Sequence, residues 1–213
     1  HHLAYINGTE YFYTMPELIL EIAVKGIMNV IDGCKENNIK ELYVASSSET
    51  YQIPEKVPTP ETERLIVPNP LNPRYSYGGG KILWELMAIN FGRKYFDKVV
   101  IYRPHNVYGP DMGREHVLPQ FALRMYKLIQ ETDDEIIDFP IQGSGNETRA
   151  FVFINDFIDG VMTLMDKGEH LNIYNIGTMD EITIKDLAAL VGRAFNKTIR
   201  VLPGEVSQGS TPR

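Results

Sequence analysis

The sequence predicts an α/β fold built on a parallel sheet. Stretches with apolar residues at helical spacing alternate with short apolar runs of strand length. The clearest of those runs end in polar clusters, and the C-terminal ends of strands are where such folds bind ligands. The 213 residues suffice for one large domain, or for a domain with a small lobe.

The first helix is expected from Met15 to Asn37. Leu18, Ile19, Ile22, Ile27, Val30 and Ile31 recur at helical spacing. Thr14 stands in capping-box spacing to Glu17, and Asn37-Asn38 can end the helix. Glu41 to Ala45 reads as a buried strand, followed by Ser46-Ser47-Ser48-Glu49-Thr50-Tyr51. Residues 53 to 74, rich in Pro and Glu, read as a loop. A second helix is expected from Ser76 to Tyr95, then a strand from Lys98 to Tyr102 with the polar exit Arg103-Pro104-His105-Asn106.

Gly109-Pro110-Asp111-Met112-Gly113 is turn chemistry. Beyond it a helix is expected over Pro119–Gln130, an extended run over Ile136–Ile141 and a tight turn over Gly143–Asn146. Phe151 to Ile154 reads as a short strand, and Asn155 or Asp156 can cap a helix running through Met165. A strand over Asn172–Ile176, a helix from Thr183 to Phe195 and a strand over Ile199–Leu202 complete the pattern.

Composition bounds the function. Apolar content of 43% and charged content of 23% are ordinary for a globular chain. The net charge of -7 argues against a nucleic-acid or membrane-surface binder, which needs a basic face. Local arginines can still recognise an anion. The one cysteine, Cys34, falls in a helical pattern and reads as core packing. With no apolar run of about 20 residues and no visible signal peptide, a cytoplasmic location is expected. The chain opens His1-His2-Leu3-Ala4, without methionine.

The central chemical signal is Tyr77-Gly78-Gly79-Gly80-Lys81. Residues i and i+4 share a helix face, so phenol and ammonium can reach the same bound molecule. A free tyrosine titrates near ~10 and is a poor base at neutral pH. A neighbouring ammonium and an oxidised nicotinamide would favour the phenolate. Tyr77 could then take a proton from a sugar hydroxyl while hydride leaves the same carbon. The competing reading is a chance pair on a solvated helix. Three glycines cost about 1 kcal/mol each inside a helix, so either something approaches the backbone closely or the helix begins later, at Lys81.

Ser46-Ser47-Ser48-Glu49 supplies the second element. A hydroxyl there could bond the oxygen that Tyr77 deprotonates, and Glu49 could serve as a further acid/base group. An ordinary serine-rich loop with a solvated glutamate is the alternative.

Taken in order, Ser46 to Tyr51, Tyr77-x-x-x-Lys81 and Arg103-Pro104-His105-Asn106-Val107-Tyr108-Gly109-Pro110 resemble the extended short-chain dehydrogenases/reductases that act on nucleotide sugars. Gly143-Ser144-Gly145, Arg149 to Asp156, Tyr174-Asn175-Ile176-Gly177 and Ser210-Thr211-Pro212-Arg213 are similar to later signatures of that family. The resemblance covers essentially the whole chain.

It implies a Rossmann-like doubly wound parallel sheet lacking its first strands, with a smaller substrate lobe. Residues 1–108, with 151–177 returning, would form the C-terminal part of the NAD(P)-binding domain; 109–150 and 178–213 would form the lobe. Tyr77 and Lys81 match the catalytic pair, Ser47 the catalytic Ser/Thr, and Glu49 a candidate base at sugar C5. Leu3, Ala4, Ser46, Tyr77, Lys81, Pro104 and His105 would face the cofactor, NAD or NADP, although His105 can equally be a packed histidine. Ser48, Asn106, Arg149 and Arg213 would contact a nucleotide-diphosphate sugar. The helices at Met15–Asn37 and Ser76–Tyr95 match the pair that makes a homodimer.

There are departures. No Gly-x-x-Gly-x-x-Gly loop occurs, and the chain reads as N-terminally truncated, because His1-His2-Leu3-Ala4 resembles the fourth strand of the fold. These 213 residues alone are therefore expected to bind NAD poorly and to be inactive. Ala23 stands where Asn is frequent, and Gln52 stands where Gly usually follows the tyrosine. The implied reaction opens by oxidising the hexose C4 hydroxyl. Epimerisation and 4,6-dehydration stand level as its outcome; decarboxylation, 4-ketoreduction and a non-catalytic NAD(P)-sensing role remain open, as does an unrelated α/β binding module.

Overall fold

The computed structural model describes residues 1–6 and 8–205. Along the chain run α1 (Thr9–Thr14), α2 (Pro16–Glu36), β1 (Glu41–Ala45), a 3-10 turn (Ser48–Thr50), α3 (Tyr75–Tyr95), β2 (Lys98–Pro104), β3 (Val107–Tyr108), α4 (Val117–Glu131), β4 (Ile136–Pro140), β5 (Thr148–Ala150), β6 (Val152–Phe153), α5 (Ile154–Lys167), β7 (Asn172–Ile176), β8 (Glu181–Thr183), α6 (Ile184–Ala194) and β9 (Thr198–Leu202). They fall into two compact units: His1–Val107 with Val152–Gly177, and Tyr108–Phe151 with Thr178–Arg213, the latter described to residue 205.

The first unit holds a parallel, Rossmann-like sheet in the order β1-β2-β7. Parallel strands are buried on both faces, which is why these read as continuous apolar runs rather than as alternation. Leu42, Val44, Val99 and Ile101 face one side, against Ala23, Ile27 and Ile31 of α2 and Trp84 and Ala88 of α3. Tyr43, Ala45, Val100, Tyr102 and Ile176 face the other, against Phe157, Val161 and Leu164 of α5. The opening residues add one more parallel neighbour. His2 bridges Val44; its N–H donates to the Tyr43 carbonyl at 2.8 Å, and its carbonyl accepts from Ala45 at 3.1 Å.

The second unit pairs β4 with β9 in parallel and β5 with β8 antiparallel. Ile137 and Phe139 are buried beneath Phe121 and Met125 of α4 and Leu187, Ala188 and Val191 of α6. The turn expected at Gly143–Asn146 places Gly143 at φ 74 and Gly145 at φ 80, the left-handed region that glycine enters without a Cβ penalty.

Several local expectations are corrected. Thr14 does not cap α2. It ends α1, a helix the sequence did not disclose, and its hydroxyl donates to the Glu10 carbonyl at 3.0 Å. α2 opens instead on Pro16, whose missing N–H needs no partner in the first turn. Neither Asn155 nor Asp156 caps α5, which begins at Ile154 after Phe153. Thr183 does cap α6, accepting from the Asp186 N–H at 3.1 Å. Among the described residues, no helix is long and apolar enough to cross a membrane.

Candidate active site

α3 starts at Tyr75, so Gly78, Gly79 and Gly80 all lie inside it, and a start at Lys81 is ruled out. Close approach explains two of the three. A Cβ on Gly80 would sit 2.1 Å from the Tyr5 hydroxyl and 2.9 Å from the Ala23 Cβ. One on Gly78 would sit 2.0 Å from the Gln52 amide nitrogen and 2.8 Å from the Glu49 carbonyl. The nearest atom to one on Gly79 is 3.5 Å away, at Val67, an ordinary contact. Bare backbone at 78 and 80 therefore lets the serine-rich turn and α2 close against the helix that carries Tyr77 and Lys81.

The turn itself is self-capped. Ser47 is extended and accepts from the Glu49 N–H at 3.1 Å, and the Thr50 hydroxyl donates to the Ser47 carbonyl at 2.8 Å. Ser48 opens the 3-10 turn and accepts from the Tyr51 N–H at 3.1 Å. Gln52 adopts φ 54, a conformation natural to glycine, and its side chain fills the space that Gly78 leaves.

These contacts bring together most of the residues singled out in the sequence. Tyr77 is buried, and burial pushes its phenol up to about 12. A hydrogen bond with Ser47 works in the opposite direction, and the Glu49 charge adds to the rise. Glu49 in turn lies 3.8 Å from the Arg74 guanidinium. Lys81 is 2% exposed, its ammonium 2.7 Å from the Ala45 carbonyl and 5.9 Å from the centre of the Tyr77 ring. Burial lowers Lys81 to about 7, with Glu85 opposing the fall.

A second polar cluster lies behind the first. Arg103 grips Glu85 through Nε–H at 2.9 Å and a terminal N–H at 2.6 Å, with both side chains buried. Ser46 donates to the same carboxylate. The guanidinium also reaches the Tyr51 hydroxyl at 2.7 Å and the Glu61 carbonyl at 3.1 Å. Tyr51 donates to Asn175 at 2.8 Å, and Asn175 donates to the Thr59 carbonyl at 3.0 Å. This ties the loop after the serine turn to the end of β7.

The spacing Tyr77-x-x-x-Lys81 is thus backed by a buried lysine, a hydroxyl partner and an adjacent carboxylate in one place, and residues 1–177 of the sequence match the NAD dependent epimerase/dehydratase family. The chain belongs to that family. It is 31% identical over 205 residues to UDP-glucuronic acid decarboxylase 2 of Arabidopsis thaliana, covering 94% of this chain and 43% of that protein. Its fold matches UDP-N-acetylglucosamine 4-epimerase from Methanobrevibacter ruminantium with a TM-score of 0.83 at 20% identity, over 99% of this chain and 64% of that one. It also matches dTDP-glucose 4,6-dehydratase from Streptomyces venezuelae, a structure with NAD bound, with a TM-score of 0.81 at 22% identity, over 99% of this chain and 62% of that one. The chain spans about half the length of the curated relatives it matches.

In this family member the remaining expected residues are placed as follows. Leu3 and Ala4 are exposed just past the His2 bridge. Pro104 ends β2, paired with Ile176, and the His105 N–H donates to the Ile176 carbonyl at 3.0 Å. The His105 ring packs on Gly177, and burial lowers its proton affinity; its Nε2 is buried without a hydrogen-bond partner. Asn106 is exposed at φ 31. Arg149 belongs to the second unit, where it donates to the Thr148 carbonyl at 2.7 Å. Arg213 lies outside the described residues. The sequence reading missed Glu85, Trp84 and Arg74, although Glu85 stands one further i+4 step along the face of Tyr77 and Lys81.

Proposed function

We propose that the protein acts on a nucleotide-diphosphate sugar, using NAD or NADP to oxidise the hexose C4 hydroxyl, with Tyr77, Lys81 and Ser47 as the reacting set. The supporting observation is the convergence of the Ser47 hydroxyl and the Glu49 carboxylate on the Tyr77 phenol, with Lys81 buried one turn along the same helix.

The residues fit the nicotinamide end of a dinucleotide. An ammonium has three donors, and Lys81 is bonded through one, to Ala45, leaving two for ribose hydroxyls. The buried His105 Nε2 is a further unfilled polar atom. When bound, the cofactor accepts or returns a hydride at the sugar carbon and brings positive charge beside the phenol. Tyr77 alone, held near 12, keeps its proton at neutral pH; Ser47 is the group in this chain that eases its release. Ser47 would hold the sugar oxygen in line with the phenol. Leu3, Ala4, Ser46 and Pro104 would border the cofactor; Ser48, Asn106, Arg149 and Arg213 would hold sugar and diphosphate.

Glu49 fits removal of the C5 proton and so 4,6-dehydration, with epimerisation as the other outcome of the same ketone. Decarboxylation is the reading favoured by the 31% identity to a UDP-glucuronic acid decarboxylase. NMR of products from UDP-, GDP- and dTDP-hexoses and UDP-glucuronate separates these. A 4-keto-6-deoxy sugar selects dehydratase, an inverted stereocentre selects epimerase, and a pentose selects decarboxylase. Turnover of none of them by protein that retains NAD would defeat the proposal and favour a sensing role.

The same reading includes a homodimer through the outer surfaces of α2 and α3. Leu20 and Val24 on α2 and Leu86 on α3 are 45%, 46% and 54% exposed.

A further inference from the structure

We propose that Trp84 and Tyr5 are positioning residues for Lys81: their ring faces seat the buried ammonium and hold it against the Ala45 carbonyl, on the helix face that carries Tyr77. This role rests on the assignment of Lys81 to the reacting set, but the seat itself is geometry. Lys81 is 2% exposed, and a buried ammonium is costly unless something replaces the water it has lost. It has three N–H donors and makes one hydrogen bond, to Ala45 at 2.7 Å. Among the described residues it joins no ion pair; Glu85, one turn along α3, is engaged by Arg103. What surrounds the ammonium instead is aromatic. It lies 3.9 Å from the centre of the Trp84 ring and 4.4 Å from that of Tyr5, in cation–π range, and desolvation strengthens such contacts.

The two rings are themselves fixed by their polar ends. The Trp84 indole N–H donates to the Ala23 carbonyl at 2.8 Å, and the Tyr5 hydroxyl donates to the Ile19 carbonyl at 3.3 Å. Ile19 and Ala23 are fully buried and one turn apart on α2. The rings meet edge to face with centres 4.8 Å apart, and His2 stacks on Trp84 at 3.9 Å. Bare backbone at Gly80 is what admits Tyr5, whose hydroxyl would lie 2.1 Å from a Cβ there. α2 thus sets the rings, and the rings set the ammonium of α3. A lysine stem is long and flexible, and one bond to a carbonyl would leave it free to turn.

Trp84 is the single tryptophan of the sequence, so fluorinated tryptophan supplied during expression alters this ring alone. Fluorine draws electron density from the ring face with little change of shape. It weakens a cation–π contact and leaves a merely packed indole as it was. The measurement is NMR of lysine-labelled protein without substrate, with the Lys81 signal identified by its absence in K81M. The methylene beside the ammonium should resonate upfield of the other lysines through the ring current of Trp84, and its titration should centre near 7. The midpoint should fall in order from tryptophan through monofluoro- to trifluorotryptophan, by about one pH unit over the series, a loss of about tenfold in proton affinity. The groups around Lys81 do not interfere: His2 is pushed down to about 4, Tyr77 up to about 12, Tyr5 is raised by burial, and Glu85 stays paired with Arg103. Should the trifluoro protein not fold, monofluoro- and difluorotryptophan give the same order. A midpoint that ignores the fluorines in folded protein, or a Lys81 signal with no upfield shift, overturns the proposal. The titration needs no turnover, so an inactive protein whose midpoint follows the fluorines would count against the proposed function and leave the seat intact.

Discussion

The Ser47 hydroxyl is hydrogen-bonded to the Tyr77 phenol, and among the described residues it is the group that eases a proton off that otherwise buried tyrosine. Removing the phenol with Y77F should lower kcat/KM by about 10²- to 10⁴-fold, the usual range for a lost acid/base group, without changing the melting temperature by more than a few degrees. S47A keeps the phenol but leaves burial and Glu49 unopposed. Its loss should be the same fold-change from pH 6 to 9, because Tyr77 titrates well above that range in both proteins and a higher affinity scales the ionised fraction by a constant factor. A ratio of S47A to wild-type rates that stays at one would contradict this role.

Burial of Lys81 has a cost in stability whose pH dependence has a definite sign. Its affinity falls from 10.5 in the unfolded chain to about 7 in the folded one. Between those values the unfolded state holds more protons, so stability rises with pH through that window. The cost is full below 7 and gone above 10.5. Tyr77 behaves oppositely: raised from 10.0 to about 12, it contributes stability that is lost as pH climbs through that range. K81M should therefore melt above the wild type at pH 6, with the gap closing by pH 10, as thermal unfolding followed by circular dichroism would show.

The glycine triplet gives a test internal to one helix. G79A meets only Val67 at 3.5 Å and should stabilise by up to about 1 kcal/mol through helix propensity. G80A collides with Tyr5 and Ala23, and G78A with the Glu49 carbonyl, so each should destabilise by about 1–3 kcal/mol. Urea denaturation of the three single variants reads the difference. Equal effects at all three positions would mean that the glycines serve chain flexibility rather than close approach.

How legible these features were in the sequence depends on their range. The α2 and α3 helices and the strands of the parallel sheet carry long apolar patterns, and all of them appear within a few residues of where periodicity places them. α1 is six residues and β5 and β8 are three each, too short for any period to register. At the site, Tyr77, Lys81 and Ser47 were legible because their spacing follows from one helix and one strand end. The Glu85–Arg103 pair was not, because it joins positions on separate elements and only tertiary packing fixes it.

The buried Glu85–Arg103 pair predicts an asymmetry between single and double variants. Removing one partner alone, as in R103M, leaves an unpaired carboxylate with only Ser46 beside it and strips Tyr51 of its charged donor. Such changes usually cost about 3–5 kcal/mol, whereas replacing both charges by apolar groups of similar volume is often neutral. E85M/R103M should accordingly recover most of the stability lost in R103M. Chemical denaturation of the set would contradict this if the double variant were as unstable as the sum of the singles.

Leu20, Val24 and Leu86 test the proposed dimer. All three are large, apolar and exposed on α2 and α3, the two helices that pack together over the sheet. Apolar side chains that a monomer gains nothing by exposing can be changed to aspartate at little cost to the fold, since no buried group is disturbed. L86D, or L20D combined with V24D, should therefore leave the melting curve of the isolated subunit nearly unchanged while halving the mass seen by light scattering at micromolar concentration. A wild type that already scatters as a monomer would remove the dimer, and a variant that stays dimeric would move the interface elsewhere. The two results differ in consequence for the site, because α3 also carries Tyr77 and Lys81. If the dimer forms through this face, its disruption should loosen that helix, and turnover should fall along with the mass.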